Sequence, residues 1–173
     1  MNIQDIRFIY DYNYWANGKI LAAASKVTEE QFAALAEFPF GISRGGSLRV
    51  TILHIVDAEY GWRGFFEAKK LNEDLNPDDF LTLELLEKRF QEEEKSMRAC
   101  LERLTDEDVN NHIHYVNDEG TPRDRVLWHC LVHMVNHGTQ HRSEAAALLT
   151  RYNASPGDLD FTLFLTEVAT LSG

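Results

Sequence analysis

The chain has 173 residues, of which 44% are apolar and 26% are charged. This length and composition predict a single globular domain over residues 1–173. The net charge of -11 argues against nucleic acid and anionic membranes as partners, because binding to phosphate groups draws on clustered lysine and arginine.

The N-terminal segment has neither a basic start nor the apolar run of a signal peptide, and no apolar run reaches the length of a membrane span. The two cysteines, Cys100 and Cys130, make no disulfide framework and no CxxC motif. We therefore expect a cytoplasmic protein.

Four long helices are predicted from apolar residues that recur at intervals of three and four. The first runs from Ile3 to about Ala24. Thr28 starts a short turn with a capping-box pattern, and Pro39 to Gly46 is predicted to be a loop. Ser47 is the predicted N-cap of the second long helix, which ends near Ala68.

Two polar residues of the second helix lie close to its apolar side. Glu59 falls near the centre of the apolar stripe, where a carboxylate requires a partner. That partner is either an aromatic hydroxyl or indole of the first helix, or a metal-binding histidine that Glu59 orients. We favour the structural role, because most buried polar groups are simply hydrogen-bonded. His54 lies on the flank of the stripe, beside the core.

The third long helix, Leu83 to Leu104, follows a polar linker from Asn72 to Asp79. Its charged run from Gln91 to Lys95 is predicted to be a solvent-exposed face. Thr105 can cap one further helical turn.

A small hairpin is predicted next, because His112 to Val116 alternates in polarity and a turn signal follows at Asn117 to Gly120. The fourth long helix is expected to start near Arg123 to Val126 and to end before Asn153. A last amphipathic helix, Phe161 to Leu171, is predicted to pack back on the bundle.

The fourth helix carries four of the seven histidines, spaced four residues apart. That spacing stacks them on one side of a helix, where adjacent pairs can hold one metal ion. At roughly 100° per residue, His141 lies within about 40° of the centre of the apolar stripe and His137 about 80° away, whereas His133 and His129 lie near 120° and 160°. The pair that faces inward is therefore His137 and His141, although ordinary surface or core histidines remain an alternative.

A metal site needs a third ligand, and His54 is the natural candidate because it lies beside the core. His112 and His114 would share one side of an extended strand, so a separate site of the HxH type is conceivable but has no evident partner. Cys130 is two helical turns from His137, too far to share its metal.

Four motifs in this order resemble the DinB/YfiT-like superfamily, and together they cover nearly the whole chain: Tyr14-Trp15-Ala16-Asn17, Leu53-His54-Ile55 with Glu59 and Trp62, Asn136 to Arg142, and Ser155 to Asp160. The resemblance implies an all-α, four-helix bundle with a short C-terminal helix. It also implies a solvent-accessible divalent metal, zinc first and nickel second, held by three histidines of the second and fourth helices. Position by position, these are His54, His137 and His141.

The chain departs from the usual family ending just after the last histidine. The family typically has Arg-Gly-Gln there, whereas this chain has Arg142-Ser143-Glu144. Glu144 lies about one turn from His141, so it can accept a hydrogen bond from an imidazole ligand or move a proton in catalysis.

Three neutral imidazoles leave one position of a tetrahedral metal open, as in catalytic sites. The resemblance implies a thiol-dependent enzyme, since characterised members include transferases and isomerases that use thiols such as mycothiol or bacillithiol. We therefore expect a metal-dependent enzyme that activates a small thiol or water for attack on a small electrophile, in stress response or detoxification. The alternative is a non-enzymatic, metal-stabilised bundle that acts through a partner surface.

We also expect a homodimer, formed through an exposed aromatic face with Phe8, Tyr10 or Tyr14.

Overall fold

A computed structural model describes residues 1–36, 46–116 and 120–171. Its helices and strands, in chain order, are α1 Ile3–Ala24, α2 Glu29–Ala33, α3 Leu48–Ala68, a 3-10 turn Pro77–Asp79, α4 Leu83–Glu102, α5 Asp106–Asn110, β1 His112–Val116, β2 Pro122–Val126, α6 Leu127–Arg151 and α7 Phe161–Leu171.

The four long helices form a bundle, as the resemblance implied. α3 packs against both α4 and α6, and α1 packs against the same two helices. Each long helix buries an apolar stripe toward the centre, which is the arrangement that the spacing of apolar residues predicts. The contact between α3 and α6 matters most here, because these two helices carry the candidate metal ligands.

Local sequence explains where several helices begin. Thr28, Ser47 and Thr105 each accept a hydrogen bond from the backbone N–H three residues further on, at 3.1 to 3.2 Å. These bonds satisfy N–H groups that have no partner inside the helix. The three predicted N-caps are thus confirmed. Of the loop predicted from Pro39 to Gly46, residues 39–45 lie outside the described part of the chain.

Two predicted helix boundaries are wrong. α6 begins at Leu127, and the residues assigned to its start belong to β2, which pairs antiparallel with β1. The backbone N–H of Leu127 donates to the carbonyl of Asn111 at 2.9 Å, so the strand and not the helix continues up to this point. α4 ends at Glu102, two residues before Leu104, because its last turn tightens into i to i−3 hydrogen bonds.

Of the predicted hairpin turn, residues 117–119 lie outside the described part of the chain.

The prediction that the charged run of α4 faces solvent is wrong for Glu93. Its side chain is only 1% exposed and accepts hydrogen bonds from Arg63 of α3 and from Arg89, at 3.1 and 2.6 Å for Nη2 of each. Two guanidinium groups compensate the buried carboxylate, which would otherwise be strongly unfavourable. Glu93 therefore ties α4 to α3.

The C-terminal helix packs on the outer side of α1, as predicted. Phe164 is 2% exposed and lies against the rings of Phe8, Tyr12 and Trp15. Trp15 Nε1 also donates a hydrogen bond of 2.6 Å to Glu167.

The aromatic face proposed for dimerisation is largely absent, because Tyr10 is 1% exposed and Tyr14 is 9% exposed. Both residues belong to the core between the helices, and of the three only Phe8, at 38%, is exposed.

Within the described residues, no helix is long and apolar enough to cross a membrane.

Candidate metal centre

Three imidazole rings converge where α3 lies against α6. One candidate ligand nitrogen from each of His54, His137 and His141 can be chosen so that all three lie within 4.8 Å of one another. The ring centroids are separated by 5.0 Å for His54 and His137, 4.6 Å for His54 and His141, and 4.4 Å for His137 and His141. The structure therefore contains a group of three histidines that could hold a metal ion.

Helix geometry explains how the rings meet. His137 and His141 are four residues apart on α6, so their side chains rise from consecutive turns on the same face. His141 is 4% exposed and His137 is partly buried, which agrees with their predicted angles from the apolar stripe. His54 comes from the flank of α3, and the packing of α3 against α6 closes the group.

Glu144 contacts one of the three rings. Its Oε2 lies 2.7 Å from Nδ1 of His141, and its side chain is only 19% exposed. An ionised carboxylate can only accept, so this contact places the imidazole proton on Nδ1 and the ring lone pair on Nε2. A carboxylate that holds a histidine in this tautomer is a common support for a metal ligand.

The environment of His137 favours its neutral form. Burial, the largest cause, and the neighbouring rings of His141, His54 and His133 lower its pKa from 6.5 to about 3. Its Nε2 atom is buried and has no hydrogen-bond partner among the described residues. A buried nitrogen with a lone pair and no proton donor is unfavourable, and a bound cation would satisfy it. The residues present thus fit a divalent metal.

Arg142, directly after His141, points toward α1 and is only 1% exposed. Its Nη1 atom donates to the side-chain oxygens of Asn13 and Asn17 on α1, at 2.5 and 2.8 Å. Its Nη2 atom donates to Thr139 Oγ1 at 2.9 Å and to the carbonyl of Val135. Burial lowers the pKa of this guanidinium from 12.5 to about 10, so it stays charged near neutral pH.

Gly138 provides the space for this buried side chain. A Cβ atom at Gly138 would lie 2.7 Å from Nη1 of Arg142 and 3.1 Å from Oδ1 of Asn13. The role of Arg142 was not predicted from the sequence, although a glycine four residues before an arginine on an inward-facing helix was a usable signal.

Glu59 has the predicted aromatic hydroxyl of the first helix as a partner, and an amide of the same helix that was not predicted. Tyr14 donates its hydroxyl to Oε1 at 2.9 Å and Asn13 donates its amide to Oε2 at 3.0 Å. Burial raises the pKa of Glu59 from 4.5 to about 7, and the two hydrogen bonds and Arg142 partly oppose that rise. Asn13 thereby bridges Glu59 of α3 and Arg142 of α6.

The four remaining histidines are not members of the group of three, although the ring centroid of His133 lies 6.0 Å from that of His137. His112 and His114 are exposed on β1, and both face Asp124, with Nδ1 to Oδ1 distances of 2.7 and 3.7 Å. His133 packs on Trp62 and His129 on Trp128. The proposed HxH site therefore has the carboxylate of Asp124 beside it but no third histidine. Within the part of the chain that the structure describes, it does not form a group of three converging ligands.

A cavity of about 300 Å³ adjoins two of the three histidines. His54 and His137 line it on one side, and Trp62 of α3, Leu71 of the following loop and Tyr115 of β1 line it elsewhere. This volume is at the lower end of the range for small-molecule sites. The arrangement can hold a cation and admit a small molecule next to it.

Comparison with known proteins agrees with this architecture. A sequence model of the DinB family matches residues 2–168. The chain is also 26% identical over 166 residues to the protein DinB of Bacillus subtilis strain 168, an alignment that covers 92% of this chain and 94% of that protein. With a family match over nearly its whole length, the chain belongs to the DinB family.

Proposed function

We propose that this protein is a divalent-metal-dependent enzyme that activates a low-molecular-weight thiol, or water, for attack on a small electrophile in the cytoplasm. His54, His137 and His141 hold the metal, with zinc the first candidate and nickel the second. The observation that carries the proposal is the convergence of these three imidazoles beside a cavity, with no fourth His, Cys, Asp or Glu in the group among the described residues.

A metal bound there would supply a Lewis acid that favours the deprotonated form of a thiol or water. The chain contributes the rest of the site. The hydrogen bond from His141 to Glu144 supports a positioning role for Glu144, since it fixes the tautomer and orientation of the ring. The low pKa of His137 keeps that ring neutral, and therefore able to bind a cation, through the physiological range.

The non-enzymatic alternative requires a different number of protein ligands at the metal. A purely structural metal is normally enclosed by four protein ligands. The group of three histidines and the adjoining cavity favour the enzymatic function over this alternative.

The test begins with metal analysis of protein purified without an affinity tag. The protein is then assayed for conjugation of 1-chloro-2,4-dinitrobenzene with cysteine, bacillithiol or mycothiol, before and after treatment with chelator. In this reaction a carbon–sulfur bond forms, the carbon–chlorine bond breaks, chloride leaves and the thiol proton passes to solvent.

We expect activity that is lost with chelator, restored by zinc or nickel and abolished by His54→Ala. His114→Ala is the matched control, because His114 is a histidine with a 76% exposed side chain on β1. Conjugation that persists without metal and in His54→Ala would refute the proposal. One metal per chain that raises the unfolding temperature, with no activity toward any thiol or toward hydrolysable esters, would favour the structural alternative.

A further inference from the structure

The cavity beside the three histidines has a rigid aromatic wall. Trp62 and Tyr115 meet edge to face, with ring centroids 5.3 Å apart. Phe65 supports Tyr115 at 5.4 Å, and Phe66 supports Trp62 at 5.9 Å. Aromatic rings held by other rings keep their positions at little further entropic cost, so this wall is preformed.

The rest of the lining has an apolar portion that is open to solvent. Leu71 is 38% exposed and Val116 is 57% exposed, and both line the same cavity. Large apolar side chains exposed around a concave site are typical of ligand-binding surfaces. The lining therefore offers apolar contact in addition to its polar side chains, which are His54, Asp57, Asn72, Asp74 and His137.

Gly61 keeps this cavity open. It lines the cavity from the interior of α3, and a Cβ atom placed there would meet, apart from the adjacent residues and the backbone of its own helix, no described atom within 4 Å. A side chain at this position would therefore extend into open space. Glycine inside a helix is less favourable than alanine, so its presence calls for a reason.

Packing explains other helical glycines but not this one. A Cβ at Gly64 would lie 2.5 Å from Asn72, and one at Gly138 would collide with Arg142. Gly18 also has free space, but it is exposed on α1 and lines none of the cavities next to the histidines. Gly61 is thus the helical glycine whose free space coincides with the candidate site.

We infer that Gly61 is a specificity-determining residue, and that the space it leaves takes an apolar, ring-sized part of the substrate against Trp62 and Tyr115. This inference rests on the proposed function, in which the reacting end of the same molecule lies at the histidines. The volume is sufficient, since a cavity of roughly 150 Å³ in another protein binds benzene.

The first experiment tests the cavity without any metal. Metal-free wild-type protein, Gly61→Leu and Gly18→Leu are titrated with 1-aminonaphthalene, an uncharged ring compound whose fluorescence rises in apolar surroundings. We expect Gly61→Leu to weaken binding at least tenfold and Gly18→Leu, the matched control, to leave it within twofold. Equal binding by all three proteins overturns the inference.

The second experiment tests whether the cavity and the histidines bind one molecule together. Cobalt(II)-loaded protein is titrated with phenylmethanethiol and with ethanethiol, and sulfur-to-cobalt charge-transfer absorption is followed. The preference is the ratio of the affinity for phenylmethanethiol to the affinity for ethanethiol. We expect Gly61→Leu to lower this ratio about tenfold or more, with the affinity for ethanethiol unchanged. Comparing the preference between variants cancels the different acidities of the two thiols. An unchanged preference overturns the inference.

The two failures are distinguishable. If neither thiol binds the wild-type cobalt protein, the proposed thiol function fails, and the 1-aminonaphthalene titration still decides whether Gly61 opens an apolar cavity. Gly61→Ala adds a check on stability, since we expect it to raise the unfolding temperature of metal-free protein by about 2–4 °C. A decrease would show that Gly61 is required for packing, contrary to the inference.

Discussion

The buried carboxylate of Glu59 makes stability depend on pH in a direction opposite to that of most acidic residues. Its pKa in the folded protein is raised to about 7, mainly by burial, from 4.5. A group whose folded pKa is raised contributes stability that is fully present below its unfolded pKa and is lost as the pH rises through the folded pKa. Between pH 5 and pH 8 this loss amounts to about 2.5 kcal/mol, at about 1.36 kcal/mol per pH unit over the part of the range where only the unfolded state ionises.

Glu59→Gln isolates this contribution, because glutamine keeps the shape of the side chain but does not ionise. We expect wild-type stability, measured relative to the variant, to fall by that amount from pH 5 to pH 8. The assay is urea unfolding at 25 °C in the presence of chelator, followed by circular dichroism at four pH values. Subtracting the variant removes the titration of the histidines, which both proteins share.

Glu73→Gln, in an exposed loop, is the control for loss of a surface charge. A difference between wild type and Glu59→Gln that stays constant within about 0.5 kcal/mol across this range would refute the reasoning, because a constant difference means equal folded and unfolded pKa values.

Two further substitutions test the support of the histidines. Glu144→Gln removes the charge that accepts the His141 Nδ1 proton at 2.7 Å, and we expect zinc affinity, measured by competition with a chromophoric chelator, to fall about tenfold; unchanged affinity would exclude the positioning role. Gly138→Ala forces a Cβ within 2.7 Å of the buried Arg142 guanidinium, and we expect a loss of about 1–3 kcal/mol in urea unfolding. Gly18→Ala, at an exposed helical position, is expected to gain up to about 1 kcal/mol, and equal effects of the two glycine substitutions would contradict the packing argument.

Helical periodicity was sufficient to predict the long helices and the two inward histidines of α6. The angles that placed His141 nearest the apolar stripe agree with its 4% exposure. Periodicity placed His54 only beside the core, and its assignment as the third ligand depended on elimination and on the family resemblance, since the packing of α3 against α6 decides whether its ring reaches the others. The boundary near Val126 was wrong because an alternating segment next to a helix satisfies either pattern until its strand partner is known.

Buried charges were the main features that the sequence did not reveal. Glu93 lies in a run of charged residues, and Arg142 follows a histidine motif, so both have the composition of surface positions. Each is 1% exposed because distant residues supply its partners: Arg63 for Glu93, and Asn13 with Asn17 for Arg142. Pairings between different helices leave no periodic signal along the chain.

These buried polar contacts also bear on how the histidines are held in place. Asn13 of α1 donates to Glu59 of α3 and accepts from Arg142 of α6, so one amide connects the two helices that carry the imidazoles. Apolar side chains tolerate small sliding of helices, whereas displacing a buried guanidinium from its acceptors is unfavourable by several kcal/mol. A shift of α6 by one turn would separate Arg142 from both asparagines and His141 from His54 at once. The polar contacts between α6 and α1 therefore favour the same register that brings the three rings together where α6 meets α3.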